Sequence, residues 1–458
     1  MPTFSIENFG CRATDADAAA LRRGLAAGGL LHVDEHAQAD FVVLNTCTVT
    51  AAADSQAREA VRKIHRANPQ AQIIVTGCYA QRAPEEIAAL QGVAWVVGNS
   101  HQTQIPELLN VSPAAGKSDF LPVSHLDDEP MSLARGPAKI LTGDIFAQDS
   151  VQPVVPQDGI EGDRTRPILK IQDGCNNRCS YCVIPFVRGR SRSMAPDAVI
   201  AEVRRLVQAG VKEIVLSGIN LGSYGRDLSP RIPLGDVVRR ILTETELERL
   251  RFSSVEPQDV AEDFIELVAG SDRIAQHFHV PLQSGSDRIL KLMHRWYRAA
   301  HYAERVRHIR RLLPEAAIGA DVIVGFPGET DEDFRVTYEL IESLPLTYLH
   351  VFSFSTRPGT KASDMPQTVA PPVIRERARA LRDLSRMKAL AFRTSQAGKT
   401  LRAITLARSG WDWTEALTGN YLNVKVPGQH PANLWVDAEI SAEESTPKAS
   451  EILASSQS

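Results

Sequence analysis

Three cysteines in the string CNNRCSYC, Cys175, Cys179 and Cys182, follow directly on the apolar run PILKIQDG in a CxxxCxxC arrangement. Iron-sulfur clusters are held by cysteine thiolates, and four of them saturate a 4Fe-4S cube, so three leave one iron open. An open coordination position is what separates a catalytic metal centre from a closed structural one. Zinc is the competing occupant. No histidine lies between His125 and His277, however, so its fourth ligand would have to come from far along the chain.

The other three cysteines, Cys11, Cys47 and Cys78, each stand at the end of a strand-like run: TFSIENFG, DFVVLNT and QIIVTG. In a parallel sheet such ends face one side, where ligand crevices form, so the three thiols can converge. A single cysteine in such a place is ordinarily a small buried hydrophobe. Six cysteines would allow three disulfides, but a reducing cytosol disfavours them, and metal ligation is the leading reading.

Elements able to position both triads are visible in the pattern. From Thr3 to about Asn110 short apolar runs alternate with helical stretches, which is the signature of parallel βαβ units. The helices are expected at Asp15–Leu25, with Thr14 as N-cap, and at Ala51–Ala67, stopped by Asn68-Pro69. Residues 111–165 are rich in Pro, Gly, Ser and Asp without sustained periodicity and read as a linker. From 166 to 396 six apolar strands follow: PILKIQD, EIVLSG, RLRFSSV, QHFHVPL, IGADVIVG and TYLHVFSFS. Helical patterns lie between them, including Asp197–Ala209 and Asp331–Ser343, the latter with a capping-box pair Thr330/Asp333. Six such units predict an open (βα)6 barrel. A long helix at Pro372–Ala397 precedes strands broken by Gly and Pro, a small all-β module over 397–440, and a polar tail over 441–458 reads as disordered. The fold class is α/β.

With 458 residues, 43% apolar and 23% charged, the chain has the composition of an ordinary globular protein of several domains. A formal charge of −4 argues against a surface coated with basic residues, so any nucleic-acid contact must be concentrated in a patch. No apolar run approaches the ~18 residues of a membrane span, and Met1-Pro2-Thr3-Phe4 carries no basic leader. A cytoplasmic protein without a membrane partner is expected.

The CxxxCxxC loop after a strand resembles the defining motif of the radical S-adenosylmethionine enzymes. The order NFGC, LNTC, TGCYAQ, then CNNRCSYC and a C-terminal TGNYLNVKV resembles the methylthiotransferases within them, over nearly the whole chain. That resemblance implies two 4Fe-4S clusters, one on each triad, with S-adenosylmethionine chelated by the open iron of the barrel cluster and cleaved to a 5′-deoxyadenosyl radical. The N-terminal cluster is implicated in carrying the sulfur to be inserted. It also implies tRNA as substrate, an electron donor that the sequence does not identify, and an RNA-binding TRAM module at the C-terminus. Of three branches, modifying isopentenyladenosine in tRNA, threonylcarbamoyladenosine in tRNA, or an aspartate of a ribosomal protein, the strings LSGINLGSYGRDL, VPLQSGSDRILKLMHRWY and VFSFSTRPGTKASDMP look most like the threonylcarbamoyladenosine branch. Trp296-Tyr297 departs from it where a basic residue and an aromatic are common. A non-catalytic iron-sulfur protein that binds RNA or senses redox state is the rival reading.

By the same resemblance, Ser217, Gly218 and Asn220 occupy the place that receives the methionyl amino group, Gln283 and Ser284 that of the ribose contacts, and Ile323 and Gly325 that of the adenine. Ordinary strand-end residues closing a barrel rim would look the same. Arg188, Arg190 and Arg192 in FVRGRSRS are suited to tRNA phosphates, and Trp411, Trp413 and Tyr421 to stacking on unpaired bases. A solvated loop and a small module core are the respective alternatives.

Overall fold

The computed structural model describes residues 1–109, 138–148, 151 and 165–442. The chain divides into two compact units that part after Gln148. Most of the segment read as a linker, and nearly all of the tail read as disordered, lie outside the described residues.

The first unit is a parallel sheet of β1 (Thr3–Asn8), β2 (Leu31–His32), β3 (Phe41–Thr46), β4 (Gln72–Gly77), β5 (Val93–Gly98) and β6 (Lys139–Leu141), ordered β2-β1-β3-β4-β5-β6. Strand β6 comes from within the expected linker; its three residues, KIL, are too few to show periodicity. Alternation assigns side chains to two layers: Val42, Leu44, Ile73 and Val75 pack on one face, Phe4, Val43, Ile74 and Val97 on the other. The helix Ala51–Ala67 lays Ala57, Val61 and Ile64 on the first face and is capped by Thr50, whose hydroxyl accepts from the Ala53 N–H at 3.1 Å. The first helix, Arg12–Ala27, starts earlier than expected, with Cys11 rather than Thr14 at its N-cap. Thr14 is inside it, and its hydroxyl donates to the Cys11 carbonyl at 2.7 Å.

In the second unit β7 (Ile168–Asp173), β9 (Glu213–Gly218), β10 (Arg249–Phe252), β11 (His277–His279), β12 (Ala317–Val324) and β13 (Tyr348–Ser353) run parallel, with β8 (Arg192–Ser193) antiparallel beside β7. Parallel bridges Leu250↔Ile274 and Ser254↔His279 join the β8-β7-β9-β10 and β11-β12-β13 stretches into one open barrel. Leu169, Ile171, Ile214, Leu216, Leu250, Phe252, Phe278, Ile318, Ala320 and Val322 pack outward against the helices. The period of two therefore turns Gln172, Ser217, Arg251, His279 and Asp321 to the lumen. The Thr330/Asp333 capping box is formed, on a helix Asp331–Ser343.

The helix Pro371–Gln396 leads through Gly398, at φ +78°, into an antiparallel sheet of β14 (Thr400–Ser409), β15 (Trp413–Thr418), β16 (Asn423–Pro427) and β17 (Trp435–Glu439), ordered β16-β15-β14-β17. The sheet is fastened beneath the barrel. Arg251 donates to the carbonyls of Thr418 at 3.0 Å and Gly419 at 3.2 Å, and Arg249 to that of Arg402 at 3.0 Å. Both guanidinium groups also reach the buried Glu213 carboxylate. No helix among the described residues is long and apolar enough to cross a membrane.

Candidate functional site

In the first unit the order β2-β1-β3 reverses direction at the β1/β3 boundary, which is where α/β sheets open a ligand crevice beyond their C-terminal ends. Cys11 and Cys47 immediately follow those two strands, and Cys78 follows β4. Gly10 has φ +131°, and a Cβ there would lie 2.6 Å from the Cys47 Cβ and 3.3 Å from its Sγ, so only glycine lets the two strand ends approach so closely. Thr46 pairs with Gly77, which brings the residue before Cys47 beside the residue before Cys78. Cys47 and Cys78 are buried and Cys11 is exposed; none of the six cysteines is in a disulfide. The Asn99 amide donates to the Cys78 Sγ at 3.5 Å.

In the second unit one cavity of about 230 Å³ is lined by Cys175, Cys179, Cys182, Asn220, Gln283 and Asp321, with the Glu256–Arg295 ion pair in its wall. Gly174, at φ +69°, permits the loop: a Cβ would lie 1.9 Å from the Arg190 carbonyl oxygen. The Cys175 N–H donates to the Gly189 carbonyl at 3.1 Å, and the Ser180 N–H to that of Met293 at 3.1 Å, so the loop is pinned on both sides. Donors already face the sulfurs. Arg295 approaches the Cys179 Sγ at 3.5 Å and the Asn177 N–H the Cys175 Sγ at 3.4 Å. Burial raises the Cys175 thiol, and burial together with the neighbouring Cys179 pushes Cys182 up to about 12. Three thiols disposed around one cavity with little opposing positive charge form a donor set that fits a group bringing its own positive metal centres.

Of the residues placed by resemblance, Asn220 and Gln283 line this cavity. The Asn220 backbone N–H donates to Gln172 Oε1 at 2.8 Å, while its side-chain Oδ1 is buried with no partner among the described residues, an acceptor suited to an ammonium donor. Gln283, at φ +65°, is fixed by its N–H to the Asp321 carbonyl at 2.8 Å. Ser217 and Gly218 form the end of β9 behind Asn220. Ser284 is buried elsewhere, its hydroxyl 3.3 Å from Thr337 Oγ1. Ile323 packs with Tyr181 around Phe326, and the Gly325 N–H is taken by Glu329 Oε1 at 3.0 Å.

Of the three loop arginines suited to RNA phosphates, two are turned inward. Arg188 and Arg192 are buried, Arg188 at 3.2 Å and Arg192 at 4.0 Å from Asp173, which Lys170 also contacts at 2.7 Å. Burial would raise the Asp173 carboxyl, but Lys170, Arg188 and Arg192 outweigh it and hold it well below the usual range. Arg190 alone of the three is exposed. Tyr421 is not an open stacking platform either: it stacks on His277 at 4.1 Å with Arg251 over its face. Trp413 lies under Lys425 at 4.5 Å, and Trp411 is 90% exposed. Glu256, Arg295, Asp321, His279 and His350 escaped the sequence reading; the signal available was polar residues at lumen positions of apolar strands, such as Asp321 within GADVIVG.

Residues 169–341 match the Radical SAM superfamily, and residues 3–98 match Uncharacterized protein family UPF0004. The chain is 36% identical over 424 residues, 93% of its length and 96% of the relative's, to the threonylcarbamoyladenosine tRNA methylthiotransferase MtaB of Aquifex aeolicus. It is 37% identical over 369 residues, 80% and 76% of the two chains, to the tRNA-2-methylthio-N(6)-dimethylallyladenosine synthase of Syntrophobacter fumaroxidans. Its fold is similar to that of the radical S-adenosylmethionine methyltransferase TsrM from Kitasatospora setae, with a TM-score of 0.58 at 15% identity over 90% of this chain and 79% of the other.

Proposed function

The chain belongs to the radical S-adenosylmethionine methylthiotransferases, and on that premise we propose that it converts N6-threonylcarbamoyladenosine next to the anticodon of tRNA to its 2-methylthio derivative. The observation that carries the reading is the presence, in a chain 36% identical to a methylthiotransferase of that specificity, of three cysteines around one barrel cavity and three more just after neighbouring parallel strands of the first unit. A second reading, a dimethylallyladenosine substrate, is supported by relatives of that kind at similar identity.

When bound, the group at Cys175, Cys179 and Cys182 supplies the electron that cleaves S-adenosylmethionine, and a second 4Fe-4S group at Cys11, Cys47 and Cys78 supplies the site of sulfur transfer. The protein's part is orientation. Asn220 offers its unpartnered carbonyl oxygen to the methionyl ammonium, Gln283 lines the same wall, and Arg295, neutralised by Glu256, directs N–H toward Cys179. The C-terminal sheet and Arg190 are the proposed RNA contacts, in a protein of the cytoplasm that depends on an external electron donor. The test is mass spectrometry of tRNA nucleosides from cells with and without the protein. Loss of the 2-methylthio form of threonylcarbamoyladenosine is the expected result, and an unchanged nucleoside profile refutes it.

A further inference from the structure

Three chemistry-bearing residues on neighbouring strands meet in the lumen beside the cysteine cavity. Asp321 on β12 pairs in register with His350 on β13, while His279 on β11 is opposite Gly319, two residues before Asp321. His279 Nε2 and His350 Nδ1 lie 2.9 Å and 3.2 Å from the same oxygen, Asp321 Oδ1, and the two imidazole centroids are 4.9 Å apart. Asp321 also lines the cavity that holds Cys175, Cys179 and Cys182.

The two histidines are held differently. His279 is engaged at both ring nitrogens, since its Nδ1 lies 3.1 Å from Tyr348 Oη, which in turn lies 2.8 Å from His277 Nε2. His350 is held at Nδ1 only. Its side chain is 54% exposed, and its Nε2 has no partner among the described residues. β13 is the last strand of the open barrel, so His350 stands on the strand at the barrel's edge.

We propose that His350, oriented by Asp321 and backed by His279, is the binding site for the carboxylate-bearing N6 substituent of the substrate adenosine. This rests on the methylthiotransferase reading above and adds the group that tells the two tRNA substrates apart. Asp321 is anionic: burial opposes this, but His279 and His350 hold its carboxyl well below the usual range. It accepts the Nδ1–H of His350, which leaves Nε2 as the outward group, a hydrogen-bond acceptor in that tautomer. A threonylcarbamoyl substituent carries a carboxylate, a hydroxyl and a ureido group. Among the charged groups on the cavity wall, Arg295 is committed to Glu256, so the polar atom left to meet the substituent is His350 Nε2, which accepts from its hydroxyl or ureido N–H. A dimethylallyl substituent offers only hydrocarbon and would strip water from this polar wall without returning a hydrogen bond, which costs affinity.

The same donor set, two imidazoles and a carboxylate, is also of a type that holds a divalent transition metal. The test separates the two. Full-length protein with its clusters reconstituted is titrated with anticodon stem-loop RNAs carrying threonylcarbamoyladenosine, dimethylallyladenosine or adenosine at the target position. Wild type is expected to favour the threonylcarbamoyl RNA over the other two by about tenfold, the scale of one hydrogen bond made or left unmade. His350→Phe should lose that preference, and His350→Gln, which keeps a hydrogen-bonding head group with an acceptor oxygen, should retain part of it. Iron content checks that each variant is folded and loaded. Preference undiminished in His350→Phe overturns the proposal, as does one equivalent of a bound non-iron divalent metal that disappears in that variant. The function reading fails separately, if wild type forms no methylthio product from either modified RNA, and the substituent site then falls with it.

Discussion

Arg251 and Glu213, neither with any exposed side-chain surface, meet at 2.8 Å where the C-terminal sheet is fastened beneath the barrel. Burying such a pair is costly unless its remaining hydrogens and lone pairs are satisfied. Here they are: Arg251 donates onward to Thr418 and Gly419, while Arg249 and Arg166 share the Glu213 carboxylate at 3.2 Å and 3.4 Å. The pair therefore couples barrel folding to attachment of the sheet.

Glu213→Gln leaves two buried guanidinium groups without their counter-charge and should destabilise the second unit by about 3–5 kcal/mol at neutral pH. Burial raises the Glu213 carboxyl, but Arg251, Arg166 and Arg249 outweigh it and lower it from 4.5 to about 2. A depressed carboxylate contributes stability in full above its unfolded value, and that contribution is lost as pH falls through the folded one. The contribution, about 3 kcal/mol, should hold above about pH 4.5 and fade toward pH 2. Urea-unfolding midpoints of both proteins across this range are the measurement; a gap that stays constant with pH would remove the charge argument.

Reconstituted protein should hold about eight irons if each triad binds a 4Fe-4S cluster, and replacing Cys175, Cys179 and Cys182 together by Ala should leave about half. Cys47→Ala should lose the other half yet still cleave S-adenosylmethionine to 5′-deoxyadenosine while forming no methylthio product. Iron analysis and product chromatography decide the point. Normal methylthiolation by Cys47→Ala would make the N-terminal cysteines structural.

Asn220→Ala removes the orphaned acceptor while leaving the backbone N–H that bonds Gln172 Oε1. Binding of S-adenosylmethionine should weaken by about tenfold, the scale of a hydrogen bond to a charged group, with iron content unchanged. Equilibrium binding to the cluster-loaded protein measures it, and equal affinity in wild type and variant would show that the amide serves only the loop.

The barrel and its metal loop were readable in the sequence because strands of period two and a fixed cysteine spacing are local signals. Isolated ligand partners were not. Asp321 and His350 sit on strands whose hydrophobic alternation is plain, but that they share one oxygen follows from the β12/β13 register, which no single segment specifies. One module aromatic is a similar case: Tyr421 reads as a base platform until the sheet is docked and its ring is found against His277. In FVRGRSRS the alternation of arginines does not show which of them face solvent, since Asp173, fifteen residues before Arg188, draws two of the three inward.

That burial changes what an RNA experiment on the loop would report. Arg188 supports the chain around Cys175 through Asp173, and its Nη1 reaches both carboxylate oxygens, at 3.2 Å and 3.3 Å. Arg188→Gln should therefore lower iron retention at the barrel site rather than change RNA affinity alone. Arg190 is exposed, and its backbone carbonyl, not its guanidinium, is what packs against Gly174 and accepts from Arg192. Arg190→Gln should keep its iron and weaken tRNA binding uniformly across sequences. The slope of log affinity against log salt should fall by about one, because a phosphate that is no longer neutralised by the guanidinium keeps its condensed counterion. Measuring tRNA affinity against salt for the two single variants, with iron determined on the same samples, separates the roles. If Arg190→Gln leaves the slope unchanged, phosphate docking belongs to another surface, and the exposed Trp411 end of the C-terminal sheet is the next place to test.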